Sequence, residues 1–521
     1  MKSPAPRWIR WVAGIAPVIA LGLAALPGQG SSRKARPQVE PPPPLAPLNS
    51  VAVPLPDLGR FVKDNAAAIR LGKALFWDMQ AGSDGTACAS CHYQAGSDGR
   101  DRNQLSPAFD SVFDSAHTVN YQLTLADFPF TQFRKILDNR SQKLRNSNDI
   151  VGSQGLLQFA FQGLSIDAFG NIGAYDIGIP IADQIFNLKG VNTRQVTGRN
   201  APSVINAIYN HRNFWDGRAH NEFNGVNPFG DSDVDARVYR TIGTGDVQPT
   251  RISIRNASLA SQAVGPLNNQ VEMAFGGRNF AQVARKLLGV KPLALQAVAP
   301  DDSVLGTFAS PSKGLSTTYR AMIQAAFDDR WWNSAVKFTV NGRGRIVPDA
   351  AGAYSHMEAN FSLFFGLAVL AYEATLVSGD TPYDRYLAGQ TNAMSASAIR
   401  GLAIFQNQNC NVCHRGATLS NATVPEINAE AAALGIQVPV ELMLMADGLP
   451  SAYDAGYYNL GVRPTAEDIG IGANDPFGNP LSFSRSLQLG LITDPNRPAD
   501  QLVDANTRLD IMGAFKVPGL R

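Results

Sequence analysis

Cys88-Ala89-Ser90-Cys91-His92 sets the reading of this chain, and Cys410-Asn411-Val412-Cys413-His414 repeats it. C-x-x-C-H is the pattern that attaches c-type haem: two thiols add to the porphyrin vinyl groups and the adjacent imidazole becomes an iron ligand. The chain has four cysteines, and the two motifs use them all, which leaves none for a disulfide. A zinc site would set its C-x-x-C pairs about 15–20 residues apart, whereas these stand near opposite ends of the chain. A thioredoxin-like dithiol would sit in a βαβ pattern and has no need of a His after both pairs. The motifs therefore read as two covalently bound haem c groups, one on Cys88, Cys91 and His92, the other on Cys410, Cys413 and His414.

Helical periodicity appears just before each motif. Asn65 to Trp77 places Ala68, Leu71, Ala74 and Leu75 on one face, and Ser395 to Gln406 does the same with Ile399, Leu402, Ala403 and Phe405. Tyr354 to Ser378 is the longest apolar segment after the N-terminus. Glu358, Gly366 and Glu373 within it favour a buried packing helix over a membrane span. At the N-terminus, Lys2, Arg7 and Arg10 precede an apolar run from Trp11 to Leu26, with small residues at Gly28 and Gly30. Residues 1–30 thus read as a signal peptide and the protein as periplasmic, an uncleaved anchor being the lesser alternative. Residues 31–57, with Pro41 to Pro44, read as a Pro-rich linker. A net charge of +2 with 17% charged residues gives no sign of a nucleic-acid partner or of an acidic membrane surface.

Beyond the haem motifs, the sequence resembles the bacterial di-haem cytochrome c peroxidase and MauG family, with the rubber oxygenases as a related branch. The resemblance rests on Leu71-Gly72-Lys73-Ala74-Leu75-Phe76, Gly198-Arg199-Asn200-Ala201-Pro202, Phe214-Trp215-Asp216-Gly217-Arg218, the run from Gln262 to Met273, and Phe515-Lys516-Val517-Pro518-Gly519-Leu520-Arg521. It implies a mainly α fold of two cytochrome c-like haem domains with long loop-rich insertions: a peroxidatic domain at 58–394 and an electron-transfer domain at 395–521. By the same resemblance, Gln262, Pro266 and Glu272 match the peroxide-cleaving site of the first haem. Glu272 would move the proton and Gln262 would orient the peroxide. Trp215 matches the residue that relays electrons between haems, and Asn200 one that helps to hold a calcium ion. The implied partners are hydrogen peroxide and a small periplasmic electron donor, a cytochrome or a copper protein, and the assembly could be a homodimer.

Two departures from the family pattern stand out. The stretch Gly190 to Arg199 has no His where the classical peroxidases carry a ligand to the resting first iron. That iron should then be five-coordinate or water-bound, with His117, His211, His220 and His356 as distant substitutes. The second departure is that the sequence stops at Arg521, before the segment that normally supports the second haem. This reads either as truncation or as ligation by another residue, among Met443, Met445, Met512, Tyr457 and Tyr458. Besides the peroxidase, the reading leaves a MauG-like oxidase, a rubber-oxygenase-like dioxygenase, against which Gln262 and Glu272 argue, and a non-enzymatic di-haem electron carrier.

Overall fold

The computed structural model describes residues 45–521, apart from 115–116, 136–137, 139, 446, 462 and 497–502. The stretch read as a signal peptide and the first part of the Pro-rich stretch lie outside the described residues. Ten α-helices form among the described residues: α1 Asn65–Trp77, α2 Ser258–Ala263, α3 Phe280–Gly289, α4 Tyr319–Ala326, α5 His356–Ala359, α6 Phe361–Glu373, α7 Pro382–Leu387, α8 Ala396–Asn407, α9 Val424–Leu434 and α10 Phe483–Gln488.

α1 starts where the Asp64 carboxylate accepts from the Ala67 N–H at 3.0 Å, which satisfies one of the donors a helix start leaves open. Its periodic face, Ala68, Leu71, Ala74 and Leu75, is fully buried and lies on α6. Gly72 permits this approach: a Cβ there would stand 1.8 Å from the Ala368 carbonyl oxygen. Every residue of α6 is buried, as befits a helix that is apolar on all sides. α2 packs on the same helix at Gly366, where a Cβ would meet the Ala260 carbonyl at 3.1 Å. α4 closes the layer against α1, followed by Phe327 on Phe364 (ring centroids 4.8 Å apart). No helix among the described residues is long and apolar enough to cross a membrane.

The expectation of a mainly α fold is overturned: helix accounts for 26% and strand for 18%. The strands are short and pair mostly in twos. The longest pair, Phe159–Ile166 with Ile172–Pro180, is an antiparallel hairpin. It is pinned to α3 by a buried ion cluster in which the Asp176 carboxylate lies 2.8 Å from both Arg278 and Lys286. All three side chains are shielded from water. Burial, the largest influence, brings the Lys286 ammonium down to about 8. Towards the C-terminus, Val440–Leu444, Pro450–Asp454 and Arg508–Leu509 form a three-stranded sheet, and Tyr457–Tyr458 pairs with Phe515–Lys516. The insertions thus build short antiparallel hairpins as well as loops. The end of the Pro-rich stretch packs on the body: Leu48 is fully buried and donates its N–H to Asp384 at 2.7 Å.

Candidate functional site

α1 delivers the chain to the first C-x-x-C-H motif, and Phe76, near its end, lies 6.4 Å from the His92 ring. α8 repeats this at the second motif, with Phe405 6.4 Å from His414. Each imidazole is oriented by a backbone carbonyl. His92 Nδ1 donates to Pro202 at 2.8 Å, and His414 Nδ1 donates to Leu419 at 3.1 Å. A carbonyl can only accept, so Nδ1 carries the proton and Nε2 keeps its lone pair, the form that binds iron. Burial holds His92 below its ordinary pKa, which also favours the neutral ligand. None of the four cysteines is in a disulfide. Burial, aided by Glu373, pushes Cys88 up, and burial against an opposing Arg100 pushes Cys91 to about 11.

These donor sets fit covalent haem c at both motifs. At the first, the motif opens on a cavity of about 450 Å³, within the range of small-molecule and cofactor sites. At the second, no residue of α8 is buried, so the helix presents its apolar side chains beside Cys410–His414.

The cavity brings together most of the residues singled out in the sequence. Cys88, Cys91, His92, Asn200, Trp215, Gln262, Pro266 and Glu272 all line it. Gln262 sits in the last turn of α2, and Pro266 opens a 3₁₀ turn after it. Asn269 then aims Glu272, its side-chain oxygen accepting from the N–H groups of Val271 (2.9 Å) and Glu272 (3.2 Å). The loop is held from behind, where Arg278 donates to the carbonyls of Leu267 (2.9 Å) and Met273 (3.0 Å). The buried ion cluster under the hairpin therefore also fixes Glu272. Burial raises the pKa of the Glu272 carboxyl and the nearby Arg218 opposes the rise.

The segment Gly198–Pro202 orders the opposite wall. Besides Pro202 on His92, the Asn200 carbonyl accepts from the Trp215 indole N–H at 3.0 Å. Arg199 bridges Asp216 and Asp468, both at 2.7 Å, and Arg218 also binds Asp216 at 2.7 Å while lying 4.1 Å over the Phe214 ring. Burial would raise Asp216, but Arg218 and Arg199 outweigh it and hold the carboxyl below its usual range. Trp215 in turn accepts the Lys516 N–H on its own carbonyl at 2.9 Å. The Asn200 side chain donates to Gly152 at 3.2 Å.

Of the remaining histidines, none lines this cavity. His117 is bound to Asp149, His220 to Glu222 at 2.7 Å, and His356 to the Tyr239 carbonyl at 2.7 Å. Burial lowers His211 to about 3. Among the residues proposed near the second haem, Tyr458 is linked to the motif through Asn421, which donates to its hydroxyl and whose N–H binds the Cys413 carbonyl. Met443 and Met512 are exposed.

Sequence reasoning assigned no role to Glu373. It is 1% exposed, lines the cavity, has an oxygen without a hydrogen-bond partner, and is pushed by burial to about 8. A lone carboxylate at the end of the apolar run Phe361–Tyr372 was the signal. The ion network of Arg199, Asp216, Arg218 and Asp468 was likewise missed, although three of its members stand inside the quoted motifs.

Residues 178–392 match the family model described as di-haem cytochrome c peroxidase. Both C-x-x-C-H motifs lie outside that span. The chain is 25% identical to the cytochrome c551 peroxidase of Pseudomonas aeruginosa over 221 residues, 42% of this chain and 37% of that protein. It is 35% identical to the methylamine utilization protein MauG of Methylophilus methylotrophus over 83 residues, 15% of this chain and 25% of that one. With the cytochrome c peroxidase Ccp of Escherichia coli it shares 22% over 220 residues, 42% of this chain and 27% of that one. These matches bear out the family resemblance carried by the motifs. The alignments span little more than a third, at most, of those relatives' lengths. A solved MauG-like protein associated with microbial copper homeostasis aligns over 94% of this chain and 75% of its own, at 15% identity and a TM-score of 0.31.

Proposed function

We propose that this chain is an exported di-haem c-type peroxidase that reduces hydrogen peroxide beside His92 with electrons drawn through the haem on His414. The observation that carries the reading is the shared cavity: Gln262 and Glu272 line the same wall-to-wall space as Cys88, Cys91 and His92. An electron carrier has no use for an acid–base pair in that position. The two haems, when bound, supply electron storage and the redox step of O–O cleavage.

The protein's own part is to position the peroxide and move its protons. The overall change is H2O2 + 2e⁻ + 2H⁺ → 2H2O, so a proton must reach the departing oxygen as the bond breaks. Glu272 accepts the proton of one peroxide oxygen and returns it to the other, which is general acid–base catalysis. Its raised pKa brings proton release and uptake closer to balance. Gln262, on the rigid end of α2, orients the peroxide with its amide. Arg218 and Arg199, tied to Asp216 and Asp468, hold their guanidinium groups in fixed positions at the cavity edge.

For the relay, the supporting feature is a continuous chain of contacts. His414 binds the Leu419 carbonyl, Ser420 Oγ donates to Val517 at 2.7 Å, and Lys516 donates to Trp215. Trp215 lines the cavity of the other motif. The indole is large and oxidisable, which suits a hopping site. The donor would be a small periplasmic cytochrome or copper protein.

The test is peroxide-dependent oxidation of a reduced small c-type cytochrome by the haem-loaded protein. Turnover that requires both peroxide and the protein is expected. Peroxide consumption only alongside modification of a protein or organic molecule would instead favour a MauG-like oxidase, and no acceleration would favour an electron carrier.

A further inference from the structure

A second cluster of ligand-type side chains lies outside this chemistry. Leu105–Ser106 pairs antiparallel with Ile150–Val151. Asp114 and His117 follow the first strand, and Asp149 immediately precedes the second. One ligand atom from each of Asp114, His117 and Asp149 lies within 4.8 Å of the other two. The site is internal: the Asp149 side chain has no exposure and that of His117 has 6%.

The cluster carries more negative charge than its surroundings answer. His117 Nδ1 stands 2.6 Å from Asp149 Oδ2, and its Nε2 stands 4.0 Å from Asp127 Oδ1. Three carboxylates therefore face one imidazole. Among the described residues, no Lys or Arg forms an ion pair with any of them. Asp127 is already occupied by the Tyr121 hydroxyl at 2.8 Å and by Thr124. Asp114 Oδ2 and Asp149 Oδ1, by contrast, are buried without any hydrogen-bond partner. Leaving buried carboxylate oxygens unpaired is costly.

We infer that Asp114, His117 and Asp149 form a binding site for a divalent transition-metal cation of the zinc or manganese class. One imidazole nitrogen and two carboxylate oxygens suit such ions. Calcium and magnesium favour all-oxygen shells. When Nδ1 binds the metal, its proton is displaced and Nε2–H turns to Asp127, which supplies the carboxylate that orients metal-bound histidines elsewhere. The cation would join two segments that also form a wall of the haem cavity, since Ser106, Ala108, Phe109 and Ile150 line it. Its role is thus to brace that wall, and the inference does not depend on the peroxidase reading.

The test uses the haem-loaded protein after chelation and desalting, titrated with zinc chloride and, separately, manganese chloride. Bound metal is counted by elemental analysis against haem iron. Wild type should retain one zinc or manganese per chain in addition to its iron. Asp149→Asn and Asp114→Asn should each weaken that binding by roughly tenfold or more, with the haem absorbance spectrum unchanged as the check on folding. Asp114 is only half-buried, so its variant tests the site even if Asp149→Asn does not fold. Failure of the wild type to hold either metal would overturn the assignment. So would binding that both variants leave intact.

Discussion

Glu272→Gln is the sharpest perturbation of the proposed chemistry. The substitution keeps the size of the side chain and its place after the Asn269 turn, but removes the group that takes and returns a proton. Loss of general acid–base catalysis should cost about 10²–10⁴-fold in the reaction with peroxide, or roughly 3–5 kcal/mol of barrier at about 1.4 kcal/mol per decade. The structure also predicts a pH signature. Burial raises the pKa of Glu272, so the base form is lost as pH falls through that raised value, and the wild-type rate should fall with it. Glu272→Gln should lack that limb. Arg218 opposes the rise, so Arg218→Ala should move the limb to higher pH. Stopped-flow oxidation of the fully reduced protein by hydrogen peroxide, from pH 4 to pH 9, reads all three effects. Equal rates for wild type and Glu272→Gln would refute the assignment. An identical acid limb in the variant would refute the pKa argument alone.

Four further outcomes are expected. The electron paramagnetic resonance spectrum of the oxidised protein should contain a high-spin ferric component without prior reduction, because His92 is the one histidine lining the first cavity; two purely low-spin signals would contradict it. Trp215→Phe should leave both haems attached yet slow electron passage between them, seen as a lag in oxidation of the second haem; an unchanged rate would make Trp215 a packing residue. Asp176→Asn should lower stability to urea by about 3–5 kcal/mol, because it strands Arg278 and Lys286 as buried cations; a midpoint close to wild type would show that the cluster is not buried in solution. Gly72→Leu should abolish the α1–α6 approach, where even a Cβ falls 1.8 Å from a carbonyl oxygen, and should reduce haem incorporation at Cys88 and Cys91.

The parts of the fold that were legible in the sequence are those in which the apolar period survives intact. Asn65–Trp77 and the buried helix around Gly366 form where the pattern placed them. The hairpin Phe159–Ile166 with Ile172–Pro180 was not legible, for two physical reasons. Register shifts at Phe161/Gly163 and Leu164/Ile166 break its alternation. Asp176, at a position that reads as solvent-facing, is buried because Lys286 meets it from α3 and Arg278 from the loop just before that helix. The mainly α expectation came from the family resemblance, and the local pattern of this hairpin offered nothing to correct it. At the site, short-range spacing was informative: Gln262 at the end of α2 and Pro266 and Glu272 in the loop after it line one cavity. Asp468 could not be found that way, since it reaches Arg199 across 269 residues of chain. Glu373 was visible as an isolated carboxylate, but only the cavity beside it separates that from a packed helix end.

The central claim is that peroxide is reduced beside His92 with electrons from both haems. It is tested most directly by titrating the fully reduced, two-haem protein with hydrogen peroxide while following each haem by its absorbance. One equivalent of peroxide should oxidise both haems by one electron each, rapidly in wild type and slowly in Glu272→Gln. Oxidation of the two haems at the same slow rate in wild type and Glu272→Gln would contradict the account and leave the chain an electron carrier.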